Sequence, residues 1–222
     1  TGLPVAMVHC NNCTSDINAW VELFSQFAAA IGKPQSKQTL YTLLFQKAME
    51  GSTDGGGLLN YNYLSGEGVT DIDAGCPVFL RTPDANFSLP NFMRTQLMAT
   101  LKIGLDILRE EEHVPVLRLC AHGGFFKTPE VGQRILSAAA GAPVTVMETA
   151  GEGGPYGMAL LGAFFLWRDE GESLEDYLEH KVFADSRSST LQATEEECAG
   201  FRQFMTRYKA AFPVERTAVQ TL

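Results

Sequence analysis

The stretch Pro115–Gln133 decides the fold class of this sequence and reads Pro-Val-Leu-Arg-Leu-Cys-Ala-His-Gly-Gly-Phe-Phe-Lys-Thr-Pro-Glu-Val-Gly-Gln. Its first part is a nearly continuous apolar run after a proline, which is typical of a strand buried on both faces of a sheet. The run ends at Gly123-Gly124, where the missing Cβ atoms allow positive φ and let a ligand approach main-chain N–H groups. Thr128–Glu130 then supplies an N-cap, a first-turn proline and an early acid, so we predict a helix from Pro129. Strand, glycine turn and helix in this order indicate an α/β fold, in which ligands bind at the carboxyl ends of strands.

A tight strand-to-helix turn without a ligand explains this stretch equally well when the stretch is taken alone. The stretch lacks the Gly-x-Gly-x-x-Gly pattern of dinucleotide-binding folds and the Gly-Lys-Ser/Thr ending of a P-loop. Neither of those two nucleotide-binding classes is therefore indicated.

Outward from this stretch, the hydrophobic pattern predicts strands that alternate with helices, without an internal repeat. Further strands are predicted at residues 4–9, 58–64, 76–81 and 144–147, and helices at residues 16–31, 36–49, 89–112, 129–140, 155–167, 174–183 and 195–212. The helix at 155–167 is very apolar, and its small residues, such as Gly157 and Gly162, permit close packing on a neighbouring element. We therefore expect a single α/β domain over residues 1–222, with a mixed or parallel sheet.

Composition and charge restrict the class of protein. Hydrophobic residues make up 45% and charged residues 19% of the 222 residues, as in ordinary globular enzymes. The net charge of −9 argues against nucleic acid and against an anionic membrane surface as partners. No N-terminal stretch of the given sequence has the pattern of a signal peptide, and no apolar run approaches the roughly 20 residues that span a bilayer. The five cysteines are odd in number and scattered, which suits a reducing compartment, so we expect a cytoplasmic protein.

The remaining candidate chemical groups favour structural roles. Cys10 and Cys13 have the Cys-x-x-Cys spacing of zinc and redox sites, but no second pair or His cluster completes a tetrahedral site, so no metal is expected. His122 abuts the glycine pair, where a polar residue satisfied within the turn is favoured over a general base. Asp71 and Asp73 lie in an acidic loop and are expected on a solvated surface rather than as an acid–base pair.

Three segments together resemble the carboxyl-terminal half of the FGGY carbohydrate kinases, the family of xylulokinase, ribulokinase and glycerol kinase. Members carry Leu-Pro-Tyr-Leu-Ser-Gly-Glu-Arg, to which Tyr61–Gly68 is similar, and Gly-Gly-Gly-Ala-x-Ser-x-x-Trp-x-Gln, which Gly123–Gln133 resembles in length and in several residues. They also carry Gly-Arg-Pro-Val followed by a Glu and a Gly-Ala-Ala-Leu helix, to which Gly141–Val144, Glu148 and Gly157–Leu161 are similar. The resemblance is xylulokinase-like and spans nearly the whole chain in the family's order.

The resemblance implies an actin-like, ribonuclease-H-like ATPase domain with a mixed sheet flanked by helices. In the complete enzyme, ATP with Mg²⁺ would donate its γ-phosphoryl group to a hydroxyl of a sugar or polyol, such as the pentulose xylulose. The ATP-binding residues that the resemblance implies are Gly123, Gly124, Phe125, Thr128, Ser15 and Asp16. Phe125 and Phe126 replace small residues of the family beside the adenine position, and Ser15 and Asp16 stand where members have a small, glycine-containing segment.

The family's catalytic Asp and its phosphate-binding Gly-Thr-Ser turn would precede Thr1, so we expect no catalytic residue in this chain. The chain is expected to be the ATP-side domain without its N-terminal sugar-binding half, and to be inactive by itself. Its expected partners are ATP, a small sugar and that N-terminal half, and a homodimer is left open. The rival hypothesis is a non-catalytic actin-like module that binds nucleotide or regulates another protein.

Overall fold

The structure, a computed structural model, describes residue 5 and residues 7–101, 115–148 and 153–222. The helices over these residues are α1 (Ser15–Ala30), α2 (Lys37–Ala48), α3 (Leu89–Thr100), α4 (Val131–Ala140), α5 (Gly153–Trp167), α6 (Leu174–Tyr177), α7 (Glu195–Ala210) and α8 (Phe212–Thr221). The strands are β1 (Leu59–Tyr61), β2 (Val78–Leu80), β3 (Leu119–Ala121), β4 (Val144–Met147) and β5 (Ser188–Leu191). Two 3₁₀ turns lie at Gly68–Thr70 and Gly124–Phe126, and a π-helical turn at Leu178–Val182 continues α6.

The strands form a mixed sheet and a separate hairpin-like pair. In the mixed sheet, β4 is central: β3 runs parallel to it, with Leu119 opposite Val144, and β5 runs antiparallel, with Leu191 opposite Val144. The second sheet pairs β1 with β2 in antiparallel register. The predicted α/β class with a mixed sheet is therefore confirmed.

Strand β3 is shorter and more exposed than the sequence predicts. We expected a strand buried on both faces from Val116, but the ladder covers only Leu119–Ala121, with Cys120 exposed and Leu117 82% exposed. Among the described residues, β3 has a hydrogen-bonded neighbour on one side only, which is β4. An apolar run predicts a strand, but it does not say whether both of its edges and faces are covered.

Helix α3 forms the centre of the hydrophobic core. It begins at Ser88, whose hydroxyl accepts a hydrogen bond from the Asn91 N–H at 3.4 Å, and its residues Asn91–Thr100 are all buried. It packs on α2, β1 and α4, and Phe92 meets Trp20 of α1 with ring centroids 4.8 Å apart. The predicted burial of this helix is confirmed over the described part, and its predicted continuation to residue 112 lies outside the described residues.

Several local predictions are confirmed and others are wrong. The Ser36 hydroxyl caps α2 by accepting from the Thr39 N–H at 3.1 Å, as expected. The strand predicted at 4–9 is wrong over residues 7–9, which have no regular structure, and Met7 is 85% exposed. The sequence analysis also missed β5, and it ended the last helix at Phe212, where a separate helix α8 begins with Pro213 in its first turn.

Over the described residues, helix α5 does not show the close packing that its small residues permit. A Cβ atom added at Gly157 or Gly162 would meet no atom of the described residues within 4 Å. The side chains of Phe165 and Trp167 are 77% and 69% exposed. Within the described ranges, none of the helices combines the length and the apolar character that a membrane span requires.

Candidate functional site

The turn after β3 is built from three unusual backbone segments. Gly123 adopts φ 106° and ψ 176°, a region that only glycine occupies without strain. A 3₁₀ turn follows, in which the Phe126 N–H donates to the Gly123 carbonyl at 3.1 Å. Glu130 then adopts φ 66° and ψ −34°, while the Val131 N–H donates to the Pro129 carbonyl at 2.8 Å, which makes a γ-turn with positive φ.

This geometry corrects the predicted helix start. The sequence predicted that Thr128 caps a helix beginning at Pro129, but α4 begins at Val131 and Glu130 occupies its N-cap position without a side-chain cap bond. The tight γ-turn uses the residues that the N-cap pattern assigned to the first helical turn. Thr128 is instead buried, with only 6% exposure, against the interior of the turn.

The two phenylalanines of the turn differ in their surroundings. Phe125 is buried and its ring meets Phe45 of α2 at 5.9 Å and Phe126 at 5.3 Å, both in edge-to-face geometry. Phe125 therefore points inward and packs the turn against α2. Its ring does not project into the solvent at the strand end, where it would block a ligand.

A cavity of about 220 Å³ lies between this turn, the start of α1 and α2. Its wall from the turn contains Gly124, Phe125, Lys127 and Thr128, and its opposite wall contains Thr14, Ile17, Asn18, Gln38, Tyr41 and Phe45. Three of the six predicted site residues, Gly124, Phe125 and Thr128, thus line one cavity together with the start of α1. Aromatic rings on both walls, together with hydroxyl and amide groups among the lining residues, make this cavity suitable for a flat, polar-edged ligand.

The other three predicted site residues lie outside this cavity. Asp16 is buried at 6% exposure, and its carboxylate accepts hydrogen bonds from the Trp20 indole at 3.3 Å and the Asn60 amide at 3.1 Å. Its side chain therefore belongs to the interior at the start of α1. Ser15 is exposed and follows the cavity residue Thr14, while Gly123 lines a different cavity.

That second cavity, of about 590 Å³, lies at the carboxyl ends of β3 and β4. Its lining includes the cations Lys127 and Arg187 and the anions Glu130 and Glu148, all of them exposed. Exposed charges of both signs do not indicate which class of ligand this second cavity would bind. Lys127 lines both cavities, so its ammonium group is available to an anionic group bound between them.

A buried polar network supports the start of α1, and the sequence analysis missed it. Glu67 is fully buried, and its carboxylate accepts from the N–H groups of Asn11 and Asn12 at 3.0 and 3.1 Å and from the Asn12 amide at 3.2 Å. The side-chain amide oxygen Oδ1 of Asn12 in turn accepts from the N–H groups of Leu64 and Ser65 at 2.9 and 3.0 Å. These hydrogen bonds hold the turn before α1 against the loop after β1.

Strand β1 and the residues that follow it direct alternate side chains toward two different parts of the structure. Tyr61 donates to the Tyr208 carbonyl of α7 at 2.5 Å, and the Tyr208 hydroxyl donates to the Tyr63 hydroxyl at 3.3 Å. Burial raises the pKa of Tyr63 to about 12. Asn60 and Asn62 point the other way, toward α1, where the Asn62 amide donates to the Cys13 carbonyl at 2.7 Å. The alternation Asn-Tyr-Asn-Tyr in the sequence is the signal that could have revealed this arrangement.

The other candidate groups are not gathered into a site. Asp71 and Asp73 are exposed, as expected of a solvated loop, and His122 is exposed beside the glycine turn. Over the part of the chain that the structure describes, no group of three or more His, Cys, Asp or Glu side chains could hold a metal ion. The expectation that Cys10 and Cys13 bind no metal stays a prediction.

The mixed sheet, the glycine turn at a strand end and the cavity beside it define an α/β domain with a candidate ligand site. The C-terminal domain of the FGGY family of carbohydrate kinases matches residues 2–166, and the chain belongs to this family. No sequence among the curated proteins matches the chain.

Solved structures of several sugar kinases share the fold. Gluconate kinase from Lactobacillus acidophilus superposes with a TM-score of 0.67 at 17% identity, covering 96% of this chain and 40% of that chain. Ligand-bound xylulose kinase from the same organism gives 0.68 at 16% identity, covering 92% of this chain and 38% of that one. Plasmodium falciparum glycerol kinase with ADP gives 0.58 at 14% identity, with coverages of 78% and 33%. This chain has the actin-like ATPase fold of these kinases and spans at most 40% of their length.

Proposed function

We propose that this chain is the ATP-binding half of a sugar kinase, which transfers the γ-phosphoryl group of ATP to a hydroxyl of a pentulose such as xylulose or of a related sugar or polyol. The observation that supports this proposal best is the 220 Å³ cavity, where Gly124, Phe125 and Thr128 face the start of α1. Membership of the FGGY family and the ADP named with the glycerol kinase structure agree with a nucleotide at this place.

The size of the cavity decides which part of ATP it holds. Pockets that enclose a whole drug-sized ligand measure roughly 300–1,000 Å³. A cavity of about 220 Å³ is smaller, so we place the adenine base in it and the ribose and phosphates toward its open side. The rings of Phe125, Phe45 and Tyr41 supply the apolar surface, while the Thr128 hydroxyl and the Asn18 amide bind polar edges of the nucleoside.

The remaining groups act on the phosphates. Gly124 has open space where a Cβ would stand, so the ligand can approach the backbone there. Lys127 offers a cation for a phosphate oxygen, and Ser15, at the first residue of α1, offers a hydroxyl and an N–H near the positive end of the helix dipole. Asp16 acts indirectly, by fixing the first turn of α1 through its bonds to Trp20 and Asn60.

Magnesium is not held by the described residues of the cavity, because no carboxylate lines it. Mg²⁺ commonly uses one or two carboxylates together with the phosphates of its nucleotide. We therefore assign its protein ligands, and the base that takes the proton from the sugar hydroxyl, to other parts of the enzyme. The role of the chain described here is to bind and orient the nucleotide, and phosphoryl transfer depends chiefly on such positioning.

Nucleotide titration and product analysis on the complete protein test this proposal. We expect saturable binding of ADP and of ATP with Mg²⁺ by calorimetry, and ADP release in a coupled assay with at least one member of a panel of pentuloses, hexuloses and polyols. Binding without turnover of any panel member would favour a non-catalytic nucleotide-binding module. Absence of nucleotide binding would refute the proposal.

A further inference from the structure

The start of α1 is fixed by an unusual arrangement. Thr14 occupies the N-cap position with φ −93° and ψ 0°, and among the described residues its side chain accepts no capping hydrogen bond. A serine or threonine cap normally stabilises a helix start by about 1 kcal/mol and fixes the residue at which the helix begins. This helix start must therefore be determined by contacts from elsewhere in the chain.

The loop after β1 and helix α3 supply those contacts. The Cys13 carbonyl accepts from the Asn62 amide at 2.7 Å, and it lies 3.4 Å from the Thr100 hydroxyl, which donates to the Gln96 carbonyl at 3.0 Å. Directly before it, the N–H groups of Asn11 and Asn12 both donate to the Glu67 carboxylate. The residues that follow, Thr14, Ile17 and Asn18, form one wall of the 220 Å³ cavity.

We propose that Glu67 is a positioning residue for the nucleotide cavity: its buried carboxylate fixes the turn before α1 and thereby the distance between the α1 wall and the Gly124–Thr128 wall. This inference rests on the proposed function, since it treats the cavity as the nucleotide site. Glu67 lines neither cavity at this turn, so it acts through Asn11 and Asn12 and does not touch the ligand.

The chemistry at Glu67 demands a carboxylate. Three donors converge on its two oxygens, two from the backbone and one from the Asn12 amide. A glutamine of the same shape would replace one accepting oxygen with an NH₂ group that faces donors and cannot accept. A buried N–H left without an acceptor is costly, so the turn would move to regain a partner.

The test compares Glu67→Gln with Asp54→Asn in the complete protein. Asp54 is a matched control, because its carboxylate also accepts a backbone N–H, that of Gly56 at 3.0 Å, and pairs with Arg207 of α7 at 3.0 Å, yet it lines no wall of the cavity. We expect Glu67→Gln to weaken ADP binding about tenfold or more at a temperature where both variants are fully folded. Asp54→Asn should lower the melting temperature and leave ADP affinity within about twofold of the wild type.

A second measurement reports on α1 without any ligand. Hydrogen exchange of the amides of residues 11–18 should accelerate in Glu67→Gln and not in Asp54→Asn. If Glu67→Gln does not fold, Asn62→Ala replaces it and should weaken ADP binding in the same direction. Wild-type ADP affinity and wild-type exchange in a folded Glu67→Gln variant would overturn the inference. If the wild-type protein binds no ADP, the proposed function fails, and the exchange of residues 11–18 still decides whether Glu67 fixes the start of α1.

Discussion

At the scale of single residues, the two adjacent glycines of the turn have different roles. Gly123 is required by the backbone, because its φ of 106° is strained for any residue with a side chain. Gly124 has no such φ, and a Cβ added to it would meet no atom of the described residues within 4 Å. Gly124 lines the cavity, so under the proposed function this glycine gives the ligand room, whereas Gly123 is required by the backbone conformation.

Gly124→Val is therefore expected to abolish ADP binding while the melting temperature stays close to that of the wild type. The valine Cβ meets no atom of the described residues within 4 Å, and the side chain fills the approach to the backbone. Gly123→Ala is the contrasting variant, and it should lower the free energy of unfolding by about 1–3 kcal/mol because of backbone strain. Calorimetric titration with ADP and thermal melts of both variants provide the measurement. A Gly124→Val protein with unchanged ADP affinity would remove this turn from the nucleotide site.

Residue-level reasoning from the sequence found the turn but not its support. The glycine pair and Thr128 stand in one short segment, so local pattern is sufficient to single them out. The contacts of Glu67 with Asn11 and Asn12 join residues about 55 positions apart, and no periodicity of either segment encodes that pairing. Asp16 shows the same limit, since its sequence position beside Ser15 did not reveal that its carboxylate faces the interior.

At the scale of elements, the sequence predicts a helix or a strand best where one local signal determines it. The Ser36 cap and the apolar pattern of α3 are signals of this kind. Strand β5 was missed because Ser188–Leu191 has no apolar alternation, and it is a strand only through its ladder with β4. The exposure of α5 likewise could not be predicted from its composition. An apolar helix is expected to be buried, but its sequence does not show which element packs against it.

The junction of α4 and α7 makes stability depend on pH. Thr194 and Glu197 form a capping box at the start of α7, and Arg134 of α4 pairs with Glu197 at 2.9 Å. Burial opposes ionisation of Glu197, but hydrogen bonds from the Thr194 N–H and from Arg134 outweigh it and hold the pKa of Glu197 below its ordinary 4.5. A lowered folded-state pKa contributes stability that is present above pH 4.5 and is lost as the pH falls through the folded-state value.

Glu197→Gln is expected to lower the free energy of unfolding at pH 7 by about 1–2 kcal/mol, through loss of the charged cap and of the ion pair. The difference between this variant and the wild type should shrink as the pH is lowered from about 5 to about 3, because protonation removes the same interactions from the wild type. Urea unfolding at a series of pH values measures both. A difference that stays constant with pH would show that the carboxylate charge does not contribute.

At the scale of the whole molecule, the described residues enclose the cavity that we propose as one side of a nucleotide site. The core joins α1, α2, α3, α4, β1 and α7, and the cavity lies where α1 and α2 face the turn before α4. The fold class and the family could be predicted because several short motifs occur in the family's order. The position of the cavity could not be predicted from the sequence. It depends on how α1 is held by the loop after β1, about 55 residues further along the chain.

The last prediction is that these 222 residues alone phosphorylate no sugar, although they retain weak ADP binding. Phosphoryl transfer needs a group that accepts the proton of the sugar hydroxyl and needs both substrates held in line. The walls of the 220 Å³ cavity contain aromatic rings, amides, hydroxyls and Lys127. None of the described residues that line this cavity has a carboxylate. The chain also spans only 40% of the gluconate kinase with which it superposes. A coupled assay with pentuloses, hexuloses and polyols, run on the 222 residues and on the complete natural protein, is the measurement. Turnover by the 222 residues alone would contradict the prediction and would direct the search for the base to Asp16, Asp71 and Asp73, whereas turnover by the complete protein only would show that the acceptor site lies outside this chain.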